Sequence, residues 1–431
     1  MIGESGWIHQ HGRRLDSHLR EELLGFYHDL RRVPCWARRP VASVWRRHRR
    51  LPVIVQHAPG LPDGAVGTLH EVVYRHGAQV AQHLPLIDGF ATELSVAAIR
   101  SLLERSEVVR ICRDYQVHAL LDVASPTIGA PSLWSGGFTG RGVTAAIVDT
   151  GVYPHPDLRG RIVAFADLVN HVSAPYDDNG HGTHVAGDVA GDGAASAGRY
   201  RGPAPEAQVV AVKVLDKAGT GQASTIIAGL QWAVTQTQSP VRVLNLSVGG
   251  RALGSYQDDP LCQAVERVWA RGVVVCVAAG NSGPGPGTIS TPGVDPQVIT
   301  VGAMDDHHTT DRQDDTVAAF SGRGPTPDGR TKPDLLSPGV NIVSLRSPGS
   351  TLDKMLAAGR VGGSYLTMSG TSMATPICAG AVAALLSARP GLTPDQVKEV
   401  LMASAEDRGL PADVQGAGYL DVARALARLP A

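Results

Sequence analysis

Two apolar runs in this chain each stop on a polar residue beside a glycine, a pattern that few folds accommodate. Ala145-Ala146-Ile147-Val148 ends on Asp149-Thr150-Gly151, and Val273-Val274-Val275-Cys276-Val277-Ala278-Ala279 runs into Gly280-Asn281. A short, continuous apolar run between turn residues marks a strand covered on both faces, as in a parallel sheet. Two more polar residues stand where a glycine turn opens a small-residue helix: His181 in Asn179-Gly180-His181-Gly182-Thr183-His184-Val185-Ala186-Gly187, and Ser372 in Gly370-Thr371-Ser372-Met373-Ala374-Thr375-Pro376. Strand carboxyl ends and helix amino ends lie on one edge of an open α/β sheet, where ligands bind. The pattern therefore predicts an α/β fold that gathers Asp149, His181, Asn281 and Ser372 on that edge.

The four side chains are chemically complementary. A serine hydroxyl is a poor nucleophile unless a base sits within hydrogen-bond reach, an acid orients that base, and donors await the oxyanion. Ser372 fits the nucleophile, His181 the base, Asp149 the orienter and Asn281 the oxyanion donor. Singly, each has a plainer reading as a cap, a satisfied polar residue or a turn; jointly they form a catalytic set. His181 and His184 also have a helix-face spacing that suits a metal-dependent hydrolase, but no third ligand is near.

These blocks, in the chain order Asp, His, Ser, resemble the subtilisin-type serine proteases. The Asp149–His181 spacing, the runs Tyr176-Asp177-Asp178-Asn179-Gly180-His181 and Ser369-Gly370-Thr371-Ser372, and a long amino-terminal extension resemble the AprX-type subtilases within them. The resemblance covers roughly residues 53 to 430. It implies a subtilisin-like α/β/α sandwich around a mostly parallel sheet, acting as a serine endopeptidase on polypeptides. By the same resemblance, Ser247-Val248-Gly249-Gly250 forms one wall of the S1 pocket, Ala278-Ala279-Gly280 the other, and Gly219-Thr220-Gly221 the edge strand that pairs with substrate. Small apolar walls without a buried carboxylate favour Leu, Phe, Met or Tyr before the cut, while main-chain pairing keeps selectivity broad. Ser282 and Ser290 add polarity to this pocket without charge. A catalytically silent binding scaffold of the same fold is the alternative reading, and the intact catalytic set speaks against it.

Ahead of these blocks the pattern changes. Val53-Ile54-Val55 reads as a strand, residues 64–76 as a helix, and Ala78 to Leu94 as two strands across Pro85 and Asp88-Gly89. Ser95 caps a helix with apolar positions Val96, Ile99, Leu102 and Leu103, and residues 108–117 close the unit. A β-α-β-β-α-β order is a ferredoxin-like α+β domain. The resemblance makes it a propeptide, folding chaperone first and intramolecular inhibitor afterwards, whose tail lies in the cleft as an added strand. The expected organisation is a basic extension over 1–52, a propeptide over 53–120 and a catalytic domain over 121–431, with autoprocessing between Leu120 and Leu121.

Composition agrees with a large enzyme core: 431 residues, 43% hydrophobic and 18% charged. The net charge of −1 predicts neither nucleic-acid nor membrane partners. Residues 1–50 carry eleven Arg against five Asp plus Glu, with the pairs Arg31-Arg32, Arg38-Arg39, Arg46-Arg47 and Arg49-Arg50, and read as a solvated arm. That arm lacks the apolar core of a secretory signal, so a cytoplasmic protein is expected, and no 18-residue apolar run occurs, so no segment is expected to span a membrane; the protein is expected to be a monomer. Cys35, Cys112, Cys262, Cys276 and Cys378 are odd in number and widely spaced, which is no disulfide framework; Cys276 and Cys378 read as small core residues. No cofactor is required for the chemistry. The stretch Gly191-Asp192-Gly193-Ala194-Ala195-Ser196-Ala197-Gly198 lacks the oxygen-rich pattern of the secreted subtilisins' calcium loop. The acidic run Asp305-Asp306, Asp311, Asp314-Asp315 reads as a solvated loop, so no clear motif supports a structural calcium.

Overall fold

The computed structural model describes residues 2–29, 42, 49–114, 116–119, 125–307 and 309–429. The chain divides into two compact units, Met1–Gln116 with Leu253–Ala264, and Val117–Ala252 with Val265–Ala431.

The first unit contains α1 (Ile2–Gln10), α2 (Ser17–Asp29), β1 (Arg50–His57), α3 (Asp63–Arg75), β2 (Val80–Leu84), β3 (Gly89–Ser95), α4 (Val96–Leu103) and β4 (Val108–Arg113). Its strands form an antiparallel sheet in the order β2-β3-β1-β4, so residues 50–113 have the ferredoxin-like topology. Ser95 starts α4 by accepting the Ala98 N–H at 3.2 Å, and Val96, Ile99, Leu102 and Leu103 bury one helical face.

The basic arm does not stand apart from this unit. Trp7, Ile8, Leu15, Leu19 and Leu23 are buried in one apolar cluster with Val53, Val55, Leu69, Phe90, Ile99 and Ile111. Asp16 donates its N–H to Ile111 O at 3.2 Å and Ile111 donates to Arg14 O at 2.9 Å, which extends the sheet beside β4. The Arg14 guanidinium donates to Leu103 O at 2.6 Å and Arg105 O at 2.7 Å, satisfying carbonyls at the end of α4. The arginine count had masked an amphipathic pattern: Leu19 and Leu23 are one helical turn apart, and the charged side chains cover the outer face. Arg31-Arg32, Arg38-Arg39 and Arg46-Arg47 lie outside the described residues. Within the same unit Arg110 pairs with Asp258 at 2.6 Å, and Gln56 Nε2 donates to Gln263 Oε1 at 2.5 Å.

The second unit is built on β6 (Thr144–Asp149), β7 (Ile162–Asp167), β8 (Gln208–Lys213), β10 (Val241–Leu246), β12 (Val274–Ala278), β14 (Ile299–Asp305), β15 (Thr316–Val317) and β16 (Leu335–Pro338). Their order is β15-β14-β12-β10-β6-β8-β7, with β16 also on β14. All pairings are parallel except β14 with β15. The strand neighbours of β6 are β8 and β10, so the chain leaves β6 toward one side of the sheet and later returns to the other. Asp149, its last residue, therefore stands at a topological switch point. A smaller sheet has the order β13-β11-β5-β9, from β5 (Gln116–Ala119), β9 (Thr220–Gln222), β11 (Val248–Arg251) and β13 (Ser290–Thr291). A ribbon pairs β17 (Ile342–Leu345) antiparallel with β18 (Tyr365–Met368).

Among the helices, α5 (His181–Ala190) and α7 (Thr371–Ala388) are almost wholly buried, whereas α6 (Ala223–Thr235) keeps an outer face. α7 is 18 residues long with a mean hydropathy of 1.5, enough to cross a bilayer by length and composition, although the sequence reading found no such run because Thr, Ser and Gly interrupt it. It is 89% buried in the protein, as a helix apolar on all sides is when it forms a core. Cys112, Cys262, Cys276 and Cys378 are buried and in no disulfide, while Cys35 lies outside the described residues. The acidic run is not all solvated: Asp306 and Asp315 are buried, and burial raises the Asp315 carboxyl above its usual range.

Candidate active site

Each polar residue singled out by the sequence sits where an element begins or ends. Asp149 closes β6, His181 opens α5, Asn281 follows β12 and Ser372 lies in the first turn of α7. Gly180 and Gly280 hold φ at +104° and +99°, left-handed values that free the chain to turn just before His181 and Asn281. A Cβ on Gly180 would stand 2.5 Å from Ser350 Oγ.

The Asp149–His181 pair is complete. His181 Nδ1 lies 2.7 Å from Asp149 Oδ1, which also accepts the Thr150 N–H at 2.7 Å. A carboxylate oxygen already accepting an amide proton is an acceptor toward the ring as well. Nδ1 is therefore the protonated nitrogen, and Nε2 carries the basic lone pair. Both side chains are buried.

Ser372 is also buried, and its hydroxyl donates to Ser247 O at 3.0 Å. Ser247 Oγ donates to Ser372 O at 2.7 Å and accepts from Asn245 Nδ2 at 2.8 Å, so the Ser372 backbone is pinned to the turn after β10. Asn281 has a fixed orientation. Its Oδ1 accepts the Thr371 N–H at 3.0 Å and the Thr371 hydroxyl at 2.8 Å. An amide N–H can only donate, so the carboxamide oxygen faces Thr371 and its NH₂ points the other way, free of any flip ambiguity.

The candidate cleft residues lie in or beside strands. Val248, Gly249 and Gly250 belong to β11, Thr220 and Gly221 to β9 with Gly219 just before, and Ala278 ends β12 with Ala279 and Gly280 just after. Ser290 packs against both walls, since a Cβ on Gly249 or on Gly280 would run into it. Between β9 and β11 lies β5, antiparallel to β11 with Ala119 opposite Val248 and His118 opposite Gly249. Leu120 and Leu121 fall outside the described residues.

Two residues of the site had no role in the sequence reading. Asp177 is fully buried and accepts the Asn179 N–H at 3.1 Å, the Gly180 N–H at 2.7 Å, the Thr183 N–H at 2.9 Å, and the hydroxyls of Thr183 at 2.6 Å and Thr150 at 2.9 Å. Thr150 Oγ1 in turn accepts the Gly182 N–H at 2.8 Å. The loop that presents His181 is thereby tied to the residue after Asp149. Burial raises the Asp177 carboxyl above its usual range, opposed by these donors. The only sequence signal was an acidic residue four positions before His181, which looks like any solvated turn residue.

His184 Nδ1 lies 2.9 Å from Asp188 Oδ2 and Nε2 lies 3.1 Å from Leu366 O, so the ring is committed away from His181. Asp157 Oδ1 accepts the Ala195 N–H at 2.8 Å and its Oδ2 the Tyr365 hydroxyl at 2.7 Å, while Asp192 Oδ1 accepts the Ala194 N–H at 2.8 Å. Each of these three oxygens accepts a hydrogen bond from a protein donor.

The subtilase family matches residues 140–419. Serine protease AprX of Bacillus subtilis strain 168 is 47% identical over 404 residues, covering 91% of each chain. Subtilisin E of the same organism is 34% identical over 342 residues, 78% of this chain and 80% of its own. Among solved structures, fervidolysin from Fervidobacterium pennivorans, described as a keratinolytic enzyme related to subtilisin, superposes with a TM-score of 0.70. That match is 24% identical and covers 88% of this chain and 61% of fervidolysin, a likeness of fold. With a buried Asp–His pair, a serine at a helix amino end and this extent of identity, the chain belongs to the subtilase family of serine proteases.

Proposed function

We propose that the protein is a serine endopeptidase made as a zymogen, which cuts itself between Leu120 and Leu121 and then cleaves polypeptides broadly, with apolar residues before the scissile bond. The observation that carries this reading is β5. A segment of the chain just before Leu120 lies between β9 and β11, where an extended substrate adds as a strand, and strand addition of this kind is read through main-chain pairing. The part of the first compact unit that precedes the cut, up to Gln116, then belongs to the inhibitory propeptide.

In the reaction, Ser372 Oγ shifts its donor bond from Ser247 O to His181 Nε2 and attacks the peptide carbonyl. His181 takes the proton, and Asp149 stabilises the imidazolium through Nδ1–H. Asn281 Nδ2–H and the Ser372 N–H, unsatisfied within the first turn of α7, receive the oxyanion. The imidazolium then protonates the leaving amine, and water repeats the sequence to release the acyl group. The small apolar walls Val248, Gly249, Gly250, Ala278, Ala279 and Gly280 leave room for a Leu- or Phe-sized side chain and offer no charge to a basic one.

Ser372→Ala tests both halves. Purified Ser372→Ala should remain full length and hydrolyse no peptide, while the wild-type chain acquires an amino terminus at Leu121 on incubation. Processing of the variant at the wild-type rate overturns the assignment of Ser372. Absence of fluorophosphonate labelling in the wild type would favour a silent scaffold instead.

A further inference from the structure

The helix that carries His181 has a second buried acid–histidine contact one turn further on. His184, three residues after His181, and Asp188, seven after it, are both buried within α5. His184 Nε2 lies 3.1 Å from Leu366 O on β18. A carbonyl oxygen can only accept, so Nε2 bears a proton, and Nδ1, 2.9 Å from Asp188 Oδ2, shares one further proton with that carboxyl. Ser344 stands opposite Leu366 in the β17–β18 ribbon, and its hydroxyl donates to His184 O at 2.8 Å. Gly187 completes the seam, because a Cβ there would run into Ser344 and Leu345. α5 is thus fastened to the ribbon at a single register position, by the ring of His184 on one side and by its carbonyl on the other.

That position matters because of what each element leads to. β18 ends at Met368, and Leu366 precedes Ser372 by six residues; His184 follows His181 by three. The fastening therefore fixes the spacing between the helix that presents the base and the strand that delivers the nucleophile. Asp188 holds the imidazole in the orientation that reaches Leu366. We infer that His184 and Asp188 are positioning residues of the catalytic centre, registering α5 against β18 so that His181 and Ser372 meet at reacting distance. Burial raises the Asp188 carboxyl above its usual range, opposed chiefly by His184, as expected of a pair enclosed together.

This inference rests on His181 as base and Ser372 as nucleophile. It is tested on the processed enzyme with a chromogenic Leu or Phe peptide, every preparation being normalised to active sites by fluorophosphonate titration. Asp188→Leu keeps the volume and leaves His184 Nδ1 unpaired. It should lower kcat per titrated site by about tenfold or more with KM nearly unchanged, since misplacement by about 1 Å can cost on the order of 10²-fold. Asp188→Asn can still pair with Nδ1 and should recover most of that loss. A role in stability alone lowers the titratable fraction and leaves kcat per site untouched. Ser344→Ala, which deletes a single hydroxyl, serves where Asp188→Leu yields no folded protein; it should cost about twofold to fivefold in kcat at constant KM, on the same misplacement argument. Wild-type kcat per site in both Asp188→Leu and Ser344→Ala, or a loss in Asp188→Asn equal to that in Asp188→Leu, overturns the inference. Failure of the wild-type enzyme to label at Ser372 overturns the catalytic assignment on which it stands.

Discussion

At the scale of single residues, the site separates groups that react from groups that hold them. Asn281 belongs to the first kind in the proposed mechanism: Thr371 turns its oxygen away, so its NH₂ is aimed before substrate arrives. A donor of this kind counts only once the carbonyl oxygen is charged. Asn281→Ala should thus lower kcat by about 10²–10³, the range associated with loss of one such donor in a subtilisin, with little change in KM. Steady-state kinetics on a chromogenic peptide decide it, and a change confined to KM would remove Asn281 from the oxyanion hole. Asp177 belongs to the second kind. Its partners are three N–H groups and two hydroxyls, every one donating. Asp177→Asn must turn an NH₂ toward one set of them, and a buried donor left unpaired costs about 1–3 kcal/mol. We expect a melting temperature lower by a few degrees and a fall in kcat/KM as the His181 loop loosens. Unchanged thermal melts and kinetics would show that the loop holds its shape without this carboxylate.

At the scale of elements, the amino-terminal helices are the least expected part of the structure. α1, α2 and the segment between them place Trp7, Ile8, Leu15, Leu19 and Leu23 in the core of the first unit, although their composition reads as a solvated basic arm. Deleting a buried leucine side chain costs about 2–5 kcal/mol because a cavity remains. Leu19→Ala, made in the full-length Ser372→Ala chain, should therefore raise amide hydrogen exchange in β1 and β4, whose residues Val53, Val55, Val108 and Ile111 share its cluster. Exchange indistinguishable from the parent would mean that α2 is dispensable to that core. Arg14 has a comparable effect from a charged residue: its guanidinium caps carbonyls of α4, which a tally of arginines cannot distinguish from solvated charge.

At the scale of the whole molecule, the proposed zymogen places its own chain in the substrate strand position. With β5 paired to β11, a propeptide added back after cleavage should compete with substrate for that edge. Separately made residues 1–120 are expected to inhibit the processed enzyme competitively. Progress curves at several substrate concentrations test this, and noncompetitive inhibition, or a mature amino terminus far from Leu121, would show that the boundary is misplaced. The helices of residues 2–29 belong in that fragment, since a version starting at residue 49 lacks part of its core.

How much was legible in the sequence follows from how local each signal is. Apolar runs ending in Asp149 and Gly280-Asn281, and glycine turns opening helices at His181 and Ser372, are short patterns, and they suffice to set the α/β class and to nominate the four reacting groups. The ferredoxin-like order of residues 50–113 is legible for the same reason, because period, cap and turn residues all lie within a few positions. Contacts between distant segments are not written locally. Nothing near Asp177 says that five donors will converge on it, nothing near His184 names Leu366, 182 residues away, and nothing in the first thirty residues says that five of their apolar side chains share a core with Ile111. Those pairings exist because parallel strands and their crossovers bring remote segments to one sheet edge, and because buried polar groups must then find partners there. The sequence by itself determined the class of scaffold and nominated the residues proposed to react; only the tertiary structure decided what holds them, since burial and hydrogen bonding are properties of the assembled edge.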